Sequence, residues 1–240
     1  MNQTTKSELQ TRQELAMAYQ LAAAKGWGDG IYTHISACVP GEGESYLINQ
    51  FGLNFEDVNA ENLVKVNIKG EILSGAGPVN QSGFAIHGAI HAARPDASCI
   101  MHLHVDPVIA VSLQKRGLLP ISQHALRFYG DIVTHPYRGL VLSSAEQDEL
   151  ITTMGSKKAV LLQNHGSIIC GSTIQQAFYL MDVLEKACRI QLMSGCEENM
   201  TIPDAKVCQE TYEKLCIDGD QEGQIEWPAY VRLLESNKRR

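Results

Sequence analysis

Apolar residues recur at helical spacing in some segments and form short β-rich runs in others, which predicts helices and strands along the chain. Residues 7–25 begin with a serine suited to capping and place apolar residues near helical spacing before Gly26, which predicts a helix. Residues 30–52 hold short β-rich runs on either side of the turn-forming PGEGE, which predict a hairpin. Residues 63–73 alternate apolar with polar positions around a turn at Lys69–Gly70. We therefore predict a helix followed by a meander of strands.

The middle of the chain continues with a helix, a strand and a second helix. Residues 83–93 carry an apolar stripe at helical spacing, and Pro95 ends this helix because proline disfavours helical backbone in the residue before it. The apolar run at 98–104 predicts a strand. Asp106 and Pro107 suit the N-cap and the first position of the next helix.

The last part of the chain is mainly helical around two further strands. Ser143 and Glu146 form a capping-box pattern that predicts the start of a helix. The apolar runs KAVLLQ and GSIIC, separated by NHG, predict two strands. Residues 173–195 predict the longest helix, and weaker helical patterns cover 204–217 and 226–236.

The order of these elements predicts an α/β fold in a single domain that spans residues 1–240. The early strands form a meander, so we expect an antiparallel or mixed sheet with helices packed on it. We expect the core at about residues 10–195 and a C-terminal helical extension at 196–240. A chain of 240 residues, 44% of them apolar, can bury a core of this size.

Charge and cysteine content argue against several classes of partner and site. The net charge is −7 and the longest basic run is the terminal NKRR, so we expect neither nucleic acid nor an anionic membrane as a partner. Neither an N-terminal signal segment nor an apolar run long enough for a membrane span is present, which predicts a cytoplasmic protein. Seven cysteines without a C-x-x-C pair predict reduced thiols.

The candidate chemistry lies in the histidines, above all in the stretch CIMHLHVDP. His102 and His104 are two apart in a predicted strand, so their side chains leave one face about 6.6 Å apart along the chain, near enough for one ion. A catalytic zinc usually has three protein ligands and one open position. His165 is the candidate for the third ligand, because it lies at a turn between two strands where Gly166 frees the backbone.

Spacing alone leaves two alternatives open. His87 and His91 lie one helical turn apart and form another candidate ligand pair, although no acidic residue accompanies them as in the H-E-x-x-H pattern. His102 and His104 are equally compatible with two core histidines that have ordinary hydrogen-bond partners.

Longer motifs in the chain resemble the class II aldolase/adducin family. They run from about Trp27 to about Leu192, and their style is closest to the adducin-like branch rather than to the sugar-phosphate lyases. The motifs are GWGDGIYTHISA, LINQFGLNFEDVNAENLVKVNIKGEI, GFAIHGAIHAARPD, KRGLLPIS and the NHG ahead of the long helix.

The resemblance implies a three-layer α/β/α fold with a central, mainly antiparallel sheet. It also implies that Zn²⁺, or another divalent metal, is held by His102, His104 and His165, that the substrate is a small molecule, and that the protein is a homo-oligomer. Members are often tetramers with sites between subunits. In the lyases of the family the metal polarises a hydroxy-carbonyl group for retro-aldol cleavage. We therefore expect an aldolase-like carbon–carbon lyase.

Two departures from the lyase pattern shape this expectation. The lyases carry a catalytic glutamate four residues before a histidine in a helix. In this sequence the matching stretch is NQSGFAIH, which ends at His87 and has Gly83 at the position of the glutamate. Thr33–Ser36 and Asn49–Gly52 stand where the lyases cradle a phosphate, and they lack that pattern, so we expect an unphosphorylated substrate. His87 and Tyr129 are the candidates to replace the glutamate, since a histidine titrates near neutrality and a tyrosine can protonate a carbanion.

Two other functions stay open at this point. A non-catalytic, adducin-like binding or scaffold module would explain the missing glutamate. A metal-dependent epimerase or decarboxylase would use the same stabilisation of an enolate, so the sequence does not separate it from a lyase.

Overall fold

Helices and strands alternate along the computed structural model, which describes residues 7–42, 44–139, 143–195 and 199–237. Gly43, in the predicted hairpin turn, and Cys196 lie outside the described residues. The strands are β1 (His34–Cys38), β2 (Ser45–Ile48), β3 (Val64–Asn67), β4 (Ile72–Ser74), β5 (Cys99–Leu103), β6 (Ile132–His135), β7 (Ala159–Leu162) and β8 (Gly166–Gly171). The helices are α1 (Glu8–Ala24), α2 (Gln81–Ala93), α3 (Asp106–Ser112), α4 (Gln123–Leu126), α5 (Ser144–Met154), α6 (Ile174–Met193), α7 (Ala205–Leu215) and α8 (Trp227–Asn237).

The strands of the described residues form one sheet in the spatial order β4-β3-β2-β1-β5-β8-β7-β6. Neighbouring strands are antiparallel except β6 and β7, which are parallel. A parallel pair needs a long crossover connection, and α5 supplies it between these two strands. The prediction of a mainly antiparallel sheet is confirmed.

Helices cover both faces of the sheet and complete three layers. On one face, α1, α3 and α6 pack on the sheet in the largest apolar cluster, which includes Phe178 and Met101. On the opposite face, α2 and α5 pack in a second cluster, which includes Leu150 and Ile100. Met101 and Ile100 are neighbours in β5, so their side chains leave opposite faces of the strand. The predicted α/β/α architecture follows from this two-sided burial.

Helix starts agree with the predicted caps at two positions and differ at a third. Ser7 and Ser143 each complete a capping box at the start of α1 and α5. The prediction for Asp106 is wrong, because Val105 occupies the N-cap of α3 and Asp106 lies in its first turn. A carboxylate in that turn still interacts favourably with the helix dipole.

Two elements between residues 118 and 139 were not predicted from the sequence. Helix α4 has four residues, which is too few to display a helical period. Strand β6 is at the edge of the sheet and three of its four residues are partly or fully exposed, so it lacks the apolar pattern of a buried strand. Helix α2 also begins earlier than predicted, at Gln81 rather than Gly83.

The described cysteines and helices bear on two further expectations. Six cysteines in the described ranges are free thiols, as predicted, and most of them are buried. Among the helices of those ranges, none combines the length and the hydropathy that a membrane crossing requires.

The C-terminal extension packs back on the rest of the domain. The ring of Phe178 in α6 meets those of Trp227 and Tyr230 in α8, with centroids 5.8 and 5.0 Å apart. The buried guanidinium of Arg127, just after α4, donates to both carboxylate oxygens of Glu222, ahead of α8. The extension is therefore in contact with α6 and with the residue that follows α4.

Loss of the Glu222 charge should destabilise the whole domain. Glu222→Gln leaves the buried guanidinium of Arg127 with only the longer ion pair to Asp131, at 3.7 Å, and breaking a buried pair costs up to about 3–5 kcal/mol of the free energy of unfolding. Glu210→Gln, at the exposed pair with Lys206, is the control and should change it by less than about 1 kcal/mol. Urea unfolding followed by circular dichroism measures both, and equal effects would contradict the prediction.

Candidate metal centre

Three histidines converge at the end of the sheet formed by β5 and β8. Their ring centroids lie 5.1 Å apart for His102 and His104, 4.9 Å for His102 and His165, and 4.7 Å for His104 and His165. One nitrogen from each ring lies within 4.8 Å of the others. Of the described residues, these three form the group that can offer nitrogen ligands to one ion, and we call them the histidine trio.

The pairing of β5 with β8 brings the trio together. His102 pairs with Ile168 in the ladder, and the turn from β7 to β8 carries His165 to the same edge as His104. The turn uses a left-handed residue, Asn164, with φ of 61°.

The structure requires a glycine at position 166 for a different reason from the one predicted. Gly166 is not among the glycines with a positive φ. The left-handed residue of this turn is Asn164. A Cβ at Gly166 would instead lie 2.5 Å from the carbonyl oxygen of Leu103. Glycine is therefore needed because β5 and β8 approach closely here.

Hydrogen bonds determine which ring nitrogen of His102 and of His104 is available to bind a metal. His102 donates from Nδ1 to the carbonyl oxygen of Ser167 at 3.0 Å, and His104 donates from Nδ1 to Oδ2 of Asp29 at 2.7 Å. Each Nε2 then carries an unshared electron pair. The Nε2 of His104 is buried without a hydrogen-bond partner. Such outer acceptors orient metal-binding imidazoles.

Burial favours the uncharged forms of His102 and His165. Desolvation, followed by the neighbouring histidines, holds the pKa of His102 well below its usual value. Desolvation and the proximity of His104 lower the pKa of His165 to about 4. Metal binding requires neutral imidazole, so this environment favours the form that binds.

The residues present fit a divalent zinc ion. Three imidazole nitrogens, two of them on rings held by outer acceptors, are a ligand set found in catalytic zinc sites. Nε2 of His104 supports a metal at this place, because it is buried without a hydrogen-bond partner. A buried nitrogen without a partner is otherwise unfavourable.

Gly83, at the position where the lyases have a glutamate, faces the imidazole of His34. A Cβ at Gly83 would lie 2.6 Å from both Cδ2 and Nε2 of that ring. The ring of His34 also packs beside His102, with centroids 5.1 Å apart. The absence of a side chain at Gly83 is therefore what lets His34 lie next to the trio.

The predicted catalytic residue His87 lies one contact further from the trio. Its Nε2 is 2.9 Å from Nδ1 of His34, and its Nδ1 is 2.5 Å from the hydroxyl of Ser36. The same hydroxyl is 2.8 Å from Nε2 of His91. His87 and His91 thus share Ser36 as a hydrogen-bond partner, and the alternative of a metal-ligand pair finds no support in their geometry.

Tyr129, the second predicted catalytic residue, is not brought to the trio within one chain. It precedes β6, whose first residue pairs with Ala159 at the start of β7. His165 follows the opposite end of β7. A role for Tyr129 in this site would require a second copy of the chain.

Two clefts flank the trio. One lies between β6, α2 and α5, and His165, Tyr137, Arg138 and Glu149 line part of it. The other is lined in part by His104 together with Asp29, Lys25 and Arg189. His165 lines the first of these clefts and His104 lines the second.

Sequence reasoning missed three residues of this site: Asp29, His34 and Ser36. Asp29 lies in a loop far from the trio in the chain, so only the fold reveals that it accepts from His104. His34 and Ser36 alternate with buried apolar residues in β1, a period that predicts a shared face toward α2. That alternation in the sequence could have indicated that His34 and Ser36 lie on the same face of β1.

Comparisons with known proteins agree on one family. The sequence matches the family described as Class II Aldolase and Adducin N-terminal domain over residues 13–192. An aldolase II superfamily protein from Pseudomonas syringae is 41% identical with a TM-score of 0.92, over 98% of this chain and 96% of that one. L-fuculose 1-phosphate aldolase from Glaciozyma antarctica PI12 is 27% identical with a TM-score of 0.85, over 96% and 90%. Alpha-adducin of Mus musculus is 41% identical over 207 residues, which are 83% of this chain and 28% of adducin.

The contact between Gly83 and His34 predicts a coupled pair of substitutions. Gly83→Ala should cost about 1–3 kcal/mol of stability, since the new Cβ overlaps the imidazole. In a His34→Ala background the same change should be neutral or stabilising, because alanine favours helix over glycine by about 1 kcal/mol.

A double-mutant cycle on the free energy of unfolding measures this coupling. Gly88→Ala in the same helix is the matched control, because its Cβ would lie 3.4 Å from its nearest neighbours, none of which is His34. Additive effects of Gly83→Ala and His34→Ala would contradict the prediction.

The buried histidines predict an acid-sensitive fold in the metal-free protein. Desolvation, chiefly, lowers the pKa of His34 to about 3 and that of His91 to about 4, from 6.5. As the pH falls from 6.5 toward 4, the unfolded chain takes up protons that the folded protein does not, so stability falls. In His91→Gln, the pH dependence in this window should weaken by up to about 1.4 kcal/mol per pH unit. Denaturant unfolding in EDTA at several pH values tests this, and a stability that is flat down to pH 4.5 would refute it.

Proposed function

The chain belongs to the class II aldolase and adducin family, and on that premise we propose that it is a metal-dependent carbon–carbon lyase acting on an unphosphorylated hydroxy-carbonyl compound. His102, His104 and His165 would hold Zn²⁺ or another divalent metal. The observation that carries this proposal is the orphaned, buried Nε2 of His104 within a trio of converging imidazoles.

The chemistry of the site follows from the donor set and its surroundings. A bound divalent ion would supply Lewis-acid polarisation of the hydroxyl and carbonyl oxygens of the substrate. Ser167 and Asp29 orient two of the imidazoles through their Nδ1 atoms, so that the Nε2 atoms face one point. The deep burial of His102 limits the access of water on the side of the sheet.

Two observations support an unphosphorylated substrate. Thr33 and His34, at one place where the lyases cradle a phosphate, are buried in the domain. Asn49, at the other, accepts from the hydroxyl of Tyr19 at 2.8 Å and is itself buried. These side chains are buried in the domain instead of lining an open anion site, although the hydroxyl of Thr33 has no hydrogen-bond partner.

Assembly into a homo-oligomer, with a tetramer as the size common in the family, is part of the proposal. Met193, Ile217 and Ile225 are large apolar side chains that are 80–83% exposed in the single chain, so contact with a second chain would remove apolar surface from water. A second chain is also what a contribution from Tyr129 would need. The buried free thiols support a cytoplasmic location.

A binding or scaffold role is the second candidate function. The similarity to alpha-adducin and the glycine at position 83 favour it. A metal-dependent epimerase or decarboxylase is a variant of the enzymatic proposal, because it would use the same trio, and analysis of the reaction products would distinguish it.

Metal content is the first test of the proposal. The purified protein should contain close to one zinc per chain by elemental mass spectrometry, and His104→Ala should lose it because one of three ligands is removed. Asp29→Asn should weaken zinc affinity by about 10–100-fold through the orientation of His104. His124→Ala, away from the trio, is the control and should retain the metal.

Turnover of a panel of unphosphorylated hydroxy-aldehydes and hydroxy-acids by the zinc-loaded protein tests the lyase activity. Loss of activity in His104→Ala should accompany the loss of metal. A well-folded wild type that binds no added zinc would rule out the catalytic proposal. Full zinc occupancy without turnover of any panel member would favour the binding role.

A further inference from the structure

A chain of hydrogen bonds runs from the edge of the trio into the interior between β1 and α2. It connects His34, His87, Ser36 and His91 through contacts of 2.9, 2.5 and 2.8 Å. All four side chains are buried. Neither the metal ligands nor the predicted catalytic roles account for this chain.

The far end of the chain sets the position of its protons. Nδ1 of His91 lies 3.1 Å from the carbonyl oxygen of Ala97, which can only accept, so Nδ1 carries the hydrogen. The sulfur of Cys38, 3.2 Å from the same nitrogen, is a weaker second acceptor. In a neutral imidazole the other nitrogen must then be an acceptor. Nε2 of His91 therefore accepts the hydroxyl hydrogen of Ser36.

The hydrogen bonds between Ser36, His87 and His34 have their directions fixed in turn. Ser36 has one hydroxyl hydrogen, which it gives to His91, so its oxygen accepts from Nδ1 of His87. Nε2 of His87 in turn accepts from Nδ1 of His34. His34, His87 and His91 are thus each the tautomer with hydrogen on Nδ1. Nε2 of His34 therefore carries no hydrogen and can only accept.

The bare nitrogen of His34 lies where the family's glutamate would enter. A Cβ at Gly83 would be 2.6 Å from this Nε2, so the imidazole occupies space that a side chain at that position would need. His34 pairs with His102 across β1 and β5, and their rings are adjacent. Burial favours the neutral forms of His87 and His91, whose pKa values are lowered by desolvation.

We propose that Nε2 of His34 replaces the glutamate as the acceptor of a hydrogen bond from a hydroxyl group of the bound substrate. His87, Ser36 and His91 are positioning residues that fix the ring of His34 and its tautomer. This inference rests on the proposed function for the presence of substrate at the trio. It changes the role predicted for His87, which acts through His34.

The tautomers of the three histidines are the first test, beginning with the wild type. Nitrogen-15 spectra of the zinc-loaded wild type distinguish the two ring nitrogens of each histidine. His34, His87 and His91 should all carry hydrogen on Nδ1. In Ser36→Ala, His87 loses its acceptor and His91 loses its donor, so the signals of both should change. Ser112→Ala is the control, because this buried serine donates to Ile109 and is not part of the chain.

Binding of a zinc chelator with an adjacent hydroxyl group is the second test. Glycolohydroxamate, titrated into the zinc-loaded protein by calorimetry, should bind about tenfold more weakly to His34→Phe, because the ring is kept and the acceptor is lost. Ser36→Ala should show a smaller loss. Acetohydroxamate, which lacks the hydroxyl group, should bind the wild type and His34→Phe equally.

Several outcomes would overturn the inference. Hydrogen on Nε2 of His34 in the wild type would contradict the assigned tautomer, and an unchanged affinity of His34→Phe for glycolohydroxamate would contradict the acceptor role. Loss of zinc itself in His34→Phe would make His34 a metal ligand instead. If the expected tautomers and affinities are found but no substrate turns over, the lyase proposal fails and the acceptor role of His34 stands.

Discussion

The close approach of β5 and β8 is the constraint on which the candidate site depends. Leu103 and Gly166 meet so tightly that a Cβ on the glycine would lie 2.5 Å from the carbonyl oxygen of Leu103. The same pairing puts the carbonyl of Ser167 within reach of His102 and brings the turn with His165 to the edge where His104 lies. A single strand pair thus supplies all three candidate ligands and one of their outer partners.

A second constraint links β1 to α2 beside the trio. A side chain at position 83 would need space that the imidazole of His34 occupies, so Gly83 can be enlarged only if His34 is replaced or moves. The departure from the lyase pattern is therefore a rearrangement of the site, in which a neutral nitrogen stands where a carboxylate is usual. A neutral acceptor leaves the positive charge of a bound ion to be balanced by the substrate and by Asp29, which accepts from His104. Such a change is expected to alter which substrates bind.

The family includes both enzymes and adducins, and the fold alone does not separate them. Alpha-adducin is 41% identical over 83% of this chain, and the aldolase II superfamily protein from Pseudomonas syringae is 41% identical over 98% of it. Fold similarity is compatible with more than one activity, because function depends on the side chains of the site. The oriented imidazoles, and not the similarity, are therefore the stronger argument for metal chemistry.

Much of the fold was determined by local patterns in the sequence. The capping boxes at Ser7 and Ser143 and the alternation of apolar residues depend on neighbours a few positions apart, which a sequence displays directly. Strand β6 and helix α4 escaped prediction because an exposed edge strand and a single helical turn have no clear period.

The sequence by itself also identified His102, His104 and His165 as candidate ligands, through spacing and family motifs. Only the tertiary structure decided that Asp29 orients His104, that His34 fills the space beside Gly83, and that Tyr129 lies away from the trio. These relations join residues that are far apart in the chain. They depend on strand order and on the packing of α2 against β1, which no local pattern encodes.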